Sequence, residues 1–321
     1  PIHVHCIGIG GISMSGLAEI LLKEHFKISG SDSKESELTD NLTSMGARIF
    51  YGQRAENILP GTDLVVYTAA IKEDNPEFAA AKEAGIPMLS RAELLGQIMD
   101  NYKQSVAVAG THGKTTTTSM ISQILLCAAA DPTLSVGGIL DAIGGNIRVG
   151  HSDIFVTEAC EYTNSFLHFH PRYSIILDIE AEHLDFFKDI NDIRHSFHLF
   201  AKNTISDGAI IMNGQIERPE EITEGLSQEV ITYGLDPSFT YYAKDITYNE
   251  KACGRFSVYK NGEKLGEVSL SVPGEHNVYN SLAAIAVTEK IGISLEDIIH
   301  GLSILGGAKR RFELKGKLNG I

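Results

Sequence analysis

The stretch Ser105-Val106-Ala107-Val108-Ala109-Gly110-Thr111-His112-Gly113-Lys114-Thr115-Thr116-Thr117-Thr118 limits the possible folds more than any other part of this chain. An apolar, β-branched run stops at a glycine-bounded turn. Lys-Thr then opens a segment with helical spacing at Met120, Ile121, Ile124 and Leu125. Strand, turn and helix in that order describe a phosphate loop. The glycines let backbone N–H groups converge on phosphate oxygens, and the helix N-terminus adds partial positive charge. Lys114 is spaced to reach terminal phosphates and the Thr115 hydroxyl to ligate Mg²⁺. The long form of the motif has glycine at 108, where this chain has Val108, so the match is to the shorter Gly-x-x-Gly-Lys-Thr. The alternative is a plain glycine turn before a threonine-rich helix start. The strand before, the helix after and Lys-Thr at the turn favour phosphate binding.

A chain of 321 residues has length for two domains with a core in each. Its 43% hydrophobic and 21% charged residues are those of a globular chain, and no apolar run is long enough to span a bilayer. A net charge of -14 speaks against nucleic-acid binding, which needs a basic footprint, though not against a nucleotide. Cys6, Cys127, Cys160 and Cys253 are scattered without a C-x-x-C pair and read as reduced thiols. Without a signal peptide, the expected location is the cytoplasm. The opening at Pro1 and the stop at Ile321 read as trimmed ends.

From Ile2 to about Gln104 short β-rich runs alternate with helical patterns. Strands are expected at His3–Ile9, Lys27–Ser31, Ala47–Phe50, Asp63–Tyr67 and Pro87–Leu89, with a helix through Leu22 and another over Asn75–Ala84. This alternation predicts a parallel, doubly wound sheet with its ligand at the strand C-termini. Gly8 and Gly10 begin a dinucleotide-type glycine pattern, but Ser13 holds its third position; Asp32 stands near the distance of a ribose-binding acid. The pattern points to a diphosphate-bearing nucleotide, or else to close strand–helix packing.

In the second block the glycine-rich Val136–Ile139 and Ile143–Asn146 read as a flexible, substrate-facing region. Asp153–Thr157 reads as a buried strand ending at Glu158-Ala159-Cys160-Glu161. A carboxylate at a strand end beside a phosphate loop suits a Mg²⁺ ligand, and otherwise a helix-start acid. His183 follows another strand, Tyr173–Ile179, among Glu180, Glu182 and Asp185; it is either a surface histidine or a metal or phosphoryl ligand. His168, His170, His195 and His198 read as members of amphipathic or solvated helices. Strand signals recur at Ile210–Met212, Glu229–Tyr233, Tyr241–Ile246, Phe256–Tyr259 and Leu265–Val272, with Asn261-Gly262 as a hairpin turn. An amphipathic helix is expected over Val278–Ile291. His276 and Asn280 share a face at its start, suited to a nucleotide base or to plain capping. Ser294 caps a last helix to about Ile304. Arg310 and Arg311 after a glycine hinge are either γ-phosphate ligands or a solvated basic end.

Gly8–Gly16, Gly110–Thr115, Glu158–Glu161, His183-Leu184-Asp185, His276–Asn280 and Arg310-Arg311-Phe312, in this order and spacing, resemble the Mur ligases of peptidoglycan synthesis. The resemblance covers essentially the whole chain. It implies a Rossmann-like UDP-sugar-binding domain over 1–103 and a P-loop ATPase-type α/β domain with an added small β-sheet over 104–313. Residues 314–321 would start a linker to an amino-acid-binding domain that is absent. Lys114 and its loop (Gly110, Thr111, His112, Gly113, Thr115, Thr116) would bind ATP phosphates. Thr115, Glu158 and His183 would serve Mg²⁺, His276 and Asn280 adenine, and Arg311 the γ-phosphate side. Gly10, Gly11, Ser13, Met14 and Asp32, with Thr68-Ala69-Ala70-Ile71, would lie around the UDP moiety.

The implied reaction phosphorylates the lactyl carboxylate of UDP-N-acetylmuramate from ATP, after which L-alanine attacks the acyl phosphate. Many relatives read Glu-Ala-Asp-Glu-Ser-Asp where this chain has Cys160, Tyr162 and Thr163. Some sister ligases carry a carbamylated lysine at the place that an ungapped count puts at His198, so no carbamate is expected. Lacking the third domain, the chain is expected to bind both nucleotides and ligate poorly. The competing readings are a ligase that recycles a whole peptide onto the same sugar, a nicotinamide oxidoreductase and a non-catalytic UDP-sugar-binding fragment.

Overall fold

The computed structural model describes residues 1–306. Two compact units divide between Ile98 and Met99. The expected end of the second domain at 313, the 314–321 stretch and Arg310 and Arg311 lie outside the described residues.

The first unit contains β1 (His3–Ile7), α1 (Ile12–Lys23), β2 (Lys27–Asp32), α2 (Glu37–Ser44), β3 (Arg48–Tyr51), β4 (Leu64–Tyr67), α3 (Pro76–Glu83), β5 (Met88–Ser90) and α4 (Arg91–Met99). All its strand pairs are parallel, in the order β3-β2-β1-β4-β5. The order reverses between β1 and β4, which opens a crevice at the carboxyl ends of those strands.

The second unit contains β6 (Gln104–Ala109), α5 (Lys114–Cys127), β7 (Thr133–Leu140), β8 (Gly145–Arg148), β9 (Ile154–Glu158), β10 (Tyr173–Ile176), α6 (Ile190–Lys202), β11 (Ala209–Asn213), α7 (Pro219–Ile222), β12 (Glu229–Gly234), β13 (Tyr241–Tyr248), β14 (Cys253–Lys260), β15 (Glu263–Pro273), α8 (Glu275–Ile291) and α9 (Leu295–Ile304). Its ten strands form one sheet, β15-β14-β13-β12-β11-β10-β6-β9-β7-β8. The central parallel strands are continuous apolar runs because helices cover both faces, whereas β15 alternates buried and exposed residues as a one-sided antiparallel strand does. The added strands β13, β14 and β15 extend the main sheet through the parallel pair β12–β13. Asn261 and Gly262, both at positive φ, make the tight turn between β14 and β15.

Three expectations are corrected. The glycine-rich region is not an open loop. Val136–Ile139 lies in β7, which pairs with both β8 and β9, and Asn146 lies in β8. Gly137 there serves a close approach, and Gly144 takes the positive φ (64°) of the turn before β8. The helix expected to be amphipathic, α8, is buried on nearly every side from Asn277 to Thr288, since it packs against β11, β12, α5 and α9 at once. His168 ends a 3-10 helix, whereas His170 stands in an irregular exposed segment, so His170 is not helical as expected. Among the described residues no helix is long and apolar enough to cross a membrane, and all four cysteines are free.

Candidate active site

The phosphate loop connects the buried strand β6 to α5. Gly113 takes the left-handed conformation (φ 89°) that turns the chain into the helix, and a Cβ there would lie 2.8 Å from Asn280 Oδ1. No acidic residue of α5 itself occupies its first turn, so the carboxylates at its positive end come from other elements. The Lys114 ammonium folds back to donate to the Gly110 carbonyl at 2.6 Å and lies 3.4 Å from Glu161 Oε2.

The loop is braced from the segment after β10. The Thr111 amide donates to the Asp178 carbonyl (3.3 Å) and the His112 amide to Asp178 Oδ1 (2.9 Å), while the Glu180 amide donates to Thr111 Oγ1 (2.9 Å). His112 Nε2 also lies 3.1 Å from Glu180 Oε2. Burial raises the Asp178 carboxyl above its ordinary range. The His112 amide and ring pull the other way, Glu180 adds to the rise, and the Thr111 amide again lowers it. The folded state therefore favours protonated Asp178. That contribution is present at acid pH and lost as pH rises through the raised value. Asp178→Asn keeps an oxygen for the His112 amide and removes the buried charge, so it should raise the melting midpoint at pH 8 and less at pH 4. The carboxyl keeps part of its solvent, which holds the gain below about 1 kcal/mol, or roughly 2 °C. An equal gain at both pH values in a thermal scan would contradict the assignment.

On the other side of the loop, β9 ends at Glu158, and the Thr115 hydroxyl donates to Glu158 Oε1 at 2.6 Å. Gly137 in β7 makes room for this carboxylate, since a Cβ there would stand 1.9 Å from Glu158 Oε2. Glu161 is only 2% exposed and lies between Lys114 and His183, whose Nε2 is 3.4 Å from Glu161 Oε1. His183 itself has a left-handed backbone (φ 56°). Two carboxylates, a hydroxyl, an imidazole and an ammonium thus converge at one end of α5. Oxygen donors in this density suit a hard divalent cation, and the buried Glu161 carboxylate has the Lys114 ammonium beside one oxygen and the His183 imidazole beside the other.

The structure therefore brings Lys114, Thr115, Glu158 and His183 together, with Glu161 as the link between two of them. Asn280 also reaches the loop. Its amide nitrogen donates to Asn277 Oδ1 (3.0 Å), and Asn277 in turn donates to the Pro273 carbonyl (2.8 Å). His276 stays one turn earlier in α8, its ring against Gly274. Thr116 is buried within α5, 3% exposed. His198 lies on α6 with Nδ1 at 2.9 Å from the Ile222 carbonyl. In the first unit, Asp32 closes β2 and accepts from the Gly10 amide at 2.8 Å and the Ser33 amide at 2.7 Å. Gly11 caps α1, Ser13 lies in its first turn, and Thr68 and Ala69 follow β4, so all stand at strand C-termini. Met14 is 1% exposed and its side chain belongs to the core.

Asp178, Asn277 and Tyr162 were not among the expected site residues. Asp178 carries a sequence signal, since it follows the apolar run of β10 by two residues much as Glu158 ends β9 on the other side of β6. Nothing local in the sequence marks the other two.

A family model described as Mur ligase family, catalytic domain, matches residues 3–103, and one described as Mur ligase middle domain matches residues 108–288. The chain is 67% identical to a UDP-N-acetylmuramate--L-alanine ligase of Agathobacter rectalis over 321 residues, covering 100% of this chain and 70% of the relative. It is 59% identical to the protein of the same name from Lachnospira eligens, over 100% of this chain and 70% of that one. Among solved structures, a UDP-N-acetylmuramate-alanine ligase from Thermotoga maritima superposes with a TM-score of 0.85 at 30% identity, covering 99% of this chain and 72% of that chain. A UDP-N-acetylmuramate:L-alanyl-gamma-D-glutamyl-meso-diaminopimelate ligase from Neisseria meningitides gives 0.87 at 28% identity, covering 96% and 99%.

Proposed function

The chain belongs to the Mur ligase family, and on that premise we propose that it joins L-alanine to the lactyl carboxylate of UDP-N-acetylmuramate at the expense of ATP. A carboxylate is a poor acyl donor at neutral pH. Transfer of the γ-phosphoryl group to it creates an acyl phosphate, which the amine of L-alanine attacks with loss of phosphate. No protein nucleophile is required, so none of the cysteines need react.

The convergence of Lys114, Thr115, Glu158, Glu161 and His183 at the start of α5 is the observation that supports this reading. Loop amides and the helix end would hold the triphosphate, and Lys114 would exchange the Gly110 carbonyl for phosphate oxygens. Thr115 and Glu158 would hold one Mg²⁺, with Glu161 and His183 on the side of a second. Bound there, Mg²⁺ supplies the positive charge that offsets the transferring phosphoryl group. Asp32, Gly10, Gly11, Ser13, Thr68 and Ala69 would surround the UDP portion. Arg311, by resemblance, would approach the γ-phosphate. The cytoplasm, where these nucleotide substrates occur, is the expected place of work.

The acceptor is the point at which related enzymes differ, and the solved structures of both kinds superpose about equally well. The sequence relatives favour L-alanine. Phosphate release by the complete enzyme with UDP-N-acetylmuramate, ATP and either L-alanine or the tripeptide L-alanyl-γ-D-glutamyl-meso-diaminopimelate tests this. Turnover with L-alanine at least about tenfold above that with tripeptide is expected, and the reverse preference would refute the assignment.

A further inference from the structure

We propose that Tyr162 is a positioning residue that clamps the His183 imidazole against Glu161, an inference resting on the metal-side role given to His183 above. The Tyr162 ring packs on the His183 ring with centroids 4.8 Å apart and planes 38° apart, and its hydroxyl donates to Asp185 Oδ2 at 2.7 Å. Phe186 meets the same ring edge-on at 6.1 Å. One side chain thus grips residues 183, 185 and 186 of a single turn. Glu161, the residue just before it, holds His183 Nε2 from the buried side. Adjacent residues of one segment therefore supply both the carboxylate that the imidazole faces and the ring that limits its rotation.

Both backbones are held in unusual conformations. His183 is left-handed, and the amides of Phe186 and Phe187 both donate to its carbonyl at 2.9 Å. Thr163 and Asn164 are left-handed too, with φ of 54° and 57°. The Thr163 and Ser165 hydroxyls donate to the Tyr162 carbonyl, and Ser196 donates to Asn164 Oδ1 at 2.7 Å. Conformations of this kind persist where the surroundings over-determine them. Tyr162 contributes little to a core, being 36% exposed, so its own core packing does not account for the left-handed pair that follows it. Groups that orient a ligand side chain change metal affinity by about 10–100-fold when removed.

Mn²⁺ binding, followed by the electron paramagnetic resonance of the free ion with a non-hydrolysable ATP analogue present, tests the clamp in the wild type and in H183A, Y162A, Y162F and D185A. Weakening of about tenfold is expected for Y162A, approaching H183A. Y162F, which keeps the ring, should recover most of the affinity, and D185A, which frees the hydroxyl alone, should fall between. The melting midpoint of Y162A should stay near wild type, separating positioning from general structure. Wild-type Mn²⁺ binding in Y162A and D185A, with H183A weakened, overturns the clamp and leaves the role of His183 standing. Unchanged binding in H183A overturns both.

Discussion

In the complete enzyme, Lys114→Ala should lower ATP-dependent turnover of UDP-N-acetylmuramate and L-alanine by a factor of about 10³, while calorimetric titration with the UDP-sugar stays unchanged. The ammonium is the one cation on the described loop, and removing a single preorganised charge at a transferring group costs about 10²–10³ in rate. The residues assigned to the UDP portion belong to the other unit, so their strand ends keep their geometry. Glu161 would lose its ammonium neighbour, and a buried carboxylate left without its cation costs stability. The double variant Lys114→Ala with Glu161→Gln separates this cost from catalysis, since it should regain melting temperature without regaining turnover. Ligation retained in Lys114→Ala would remove the phosphate-loop assignment altogether.

A second large effect is expected from one methyl group. Gly137→Ala places a Cβ 1.9 Å from the present position of Glu158 Oε2 and 2.8 Å from the carboxyl carbon. The carboxylate is the end of a flexible side chain, so it can swing away without unfolding β7 or β9. Swinging away takes it off the Thr115 hydroxyl, now 2.6 Å from Oε1. The expected result in the complete enzyme is a fall in kcat of about 10²-fold or more with a raised Mg²⁺ requirement, since misplacement by about 1 Å can cost that much. The melting midpoint should move by only a few degrees. Wild-type kcat in Gly137→Ala would show that Glu158 does not act from this position.

These two expectations differ in where they could have been read. The first is local. Val106 and Val108 in an apolar run, the turn at Gly110 and Gly113, and Lys-Thr at the start of a helix lie within fourteen residues, and short-range sterics shape them. The second is not. Gly137 and Glu158 are brought together by the pairing of β7 with β9, and a glycine-rich run read alone suggests a loose loop. The same holds for Asn280, which touches Gly113 only because α8 packs on α5.

By itself the sequence determined the βα alternation, the phosphate loop, the strand-end acids and the family, because each is written in periodicity, turn chemistry or spacing along the chain. Tertiary structure alone decided that Glu161 stands between Lys114 and His183, that Tyr162 lies on the imidazole, and that β13, β14 and β15 continue the main sheet. Strand order and side-chain proximity arise from long-range packing of surfaces, and periodicity tells which face is buried without telling what it is buried against.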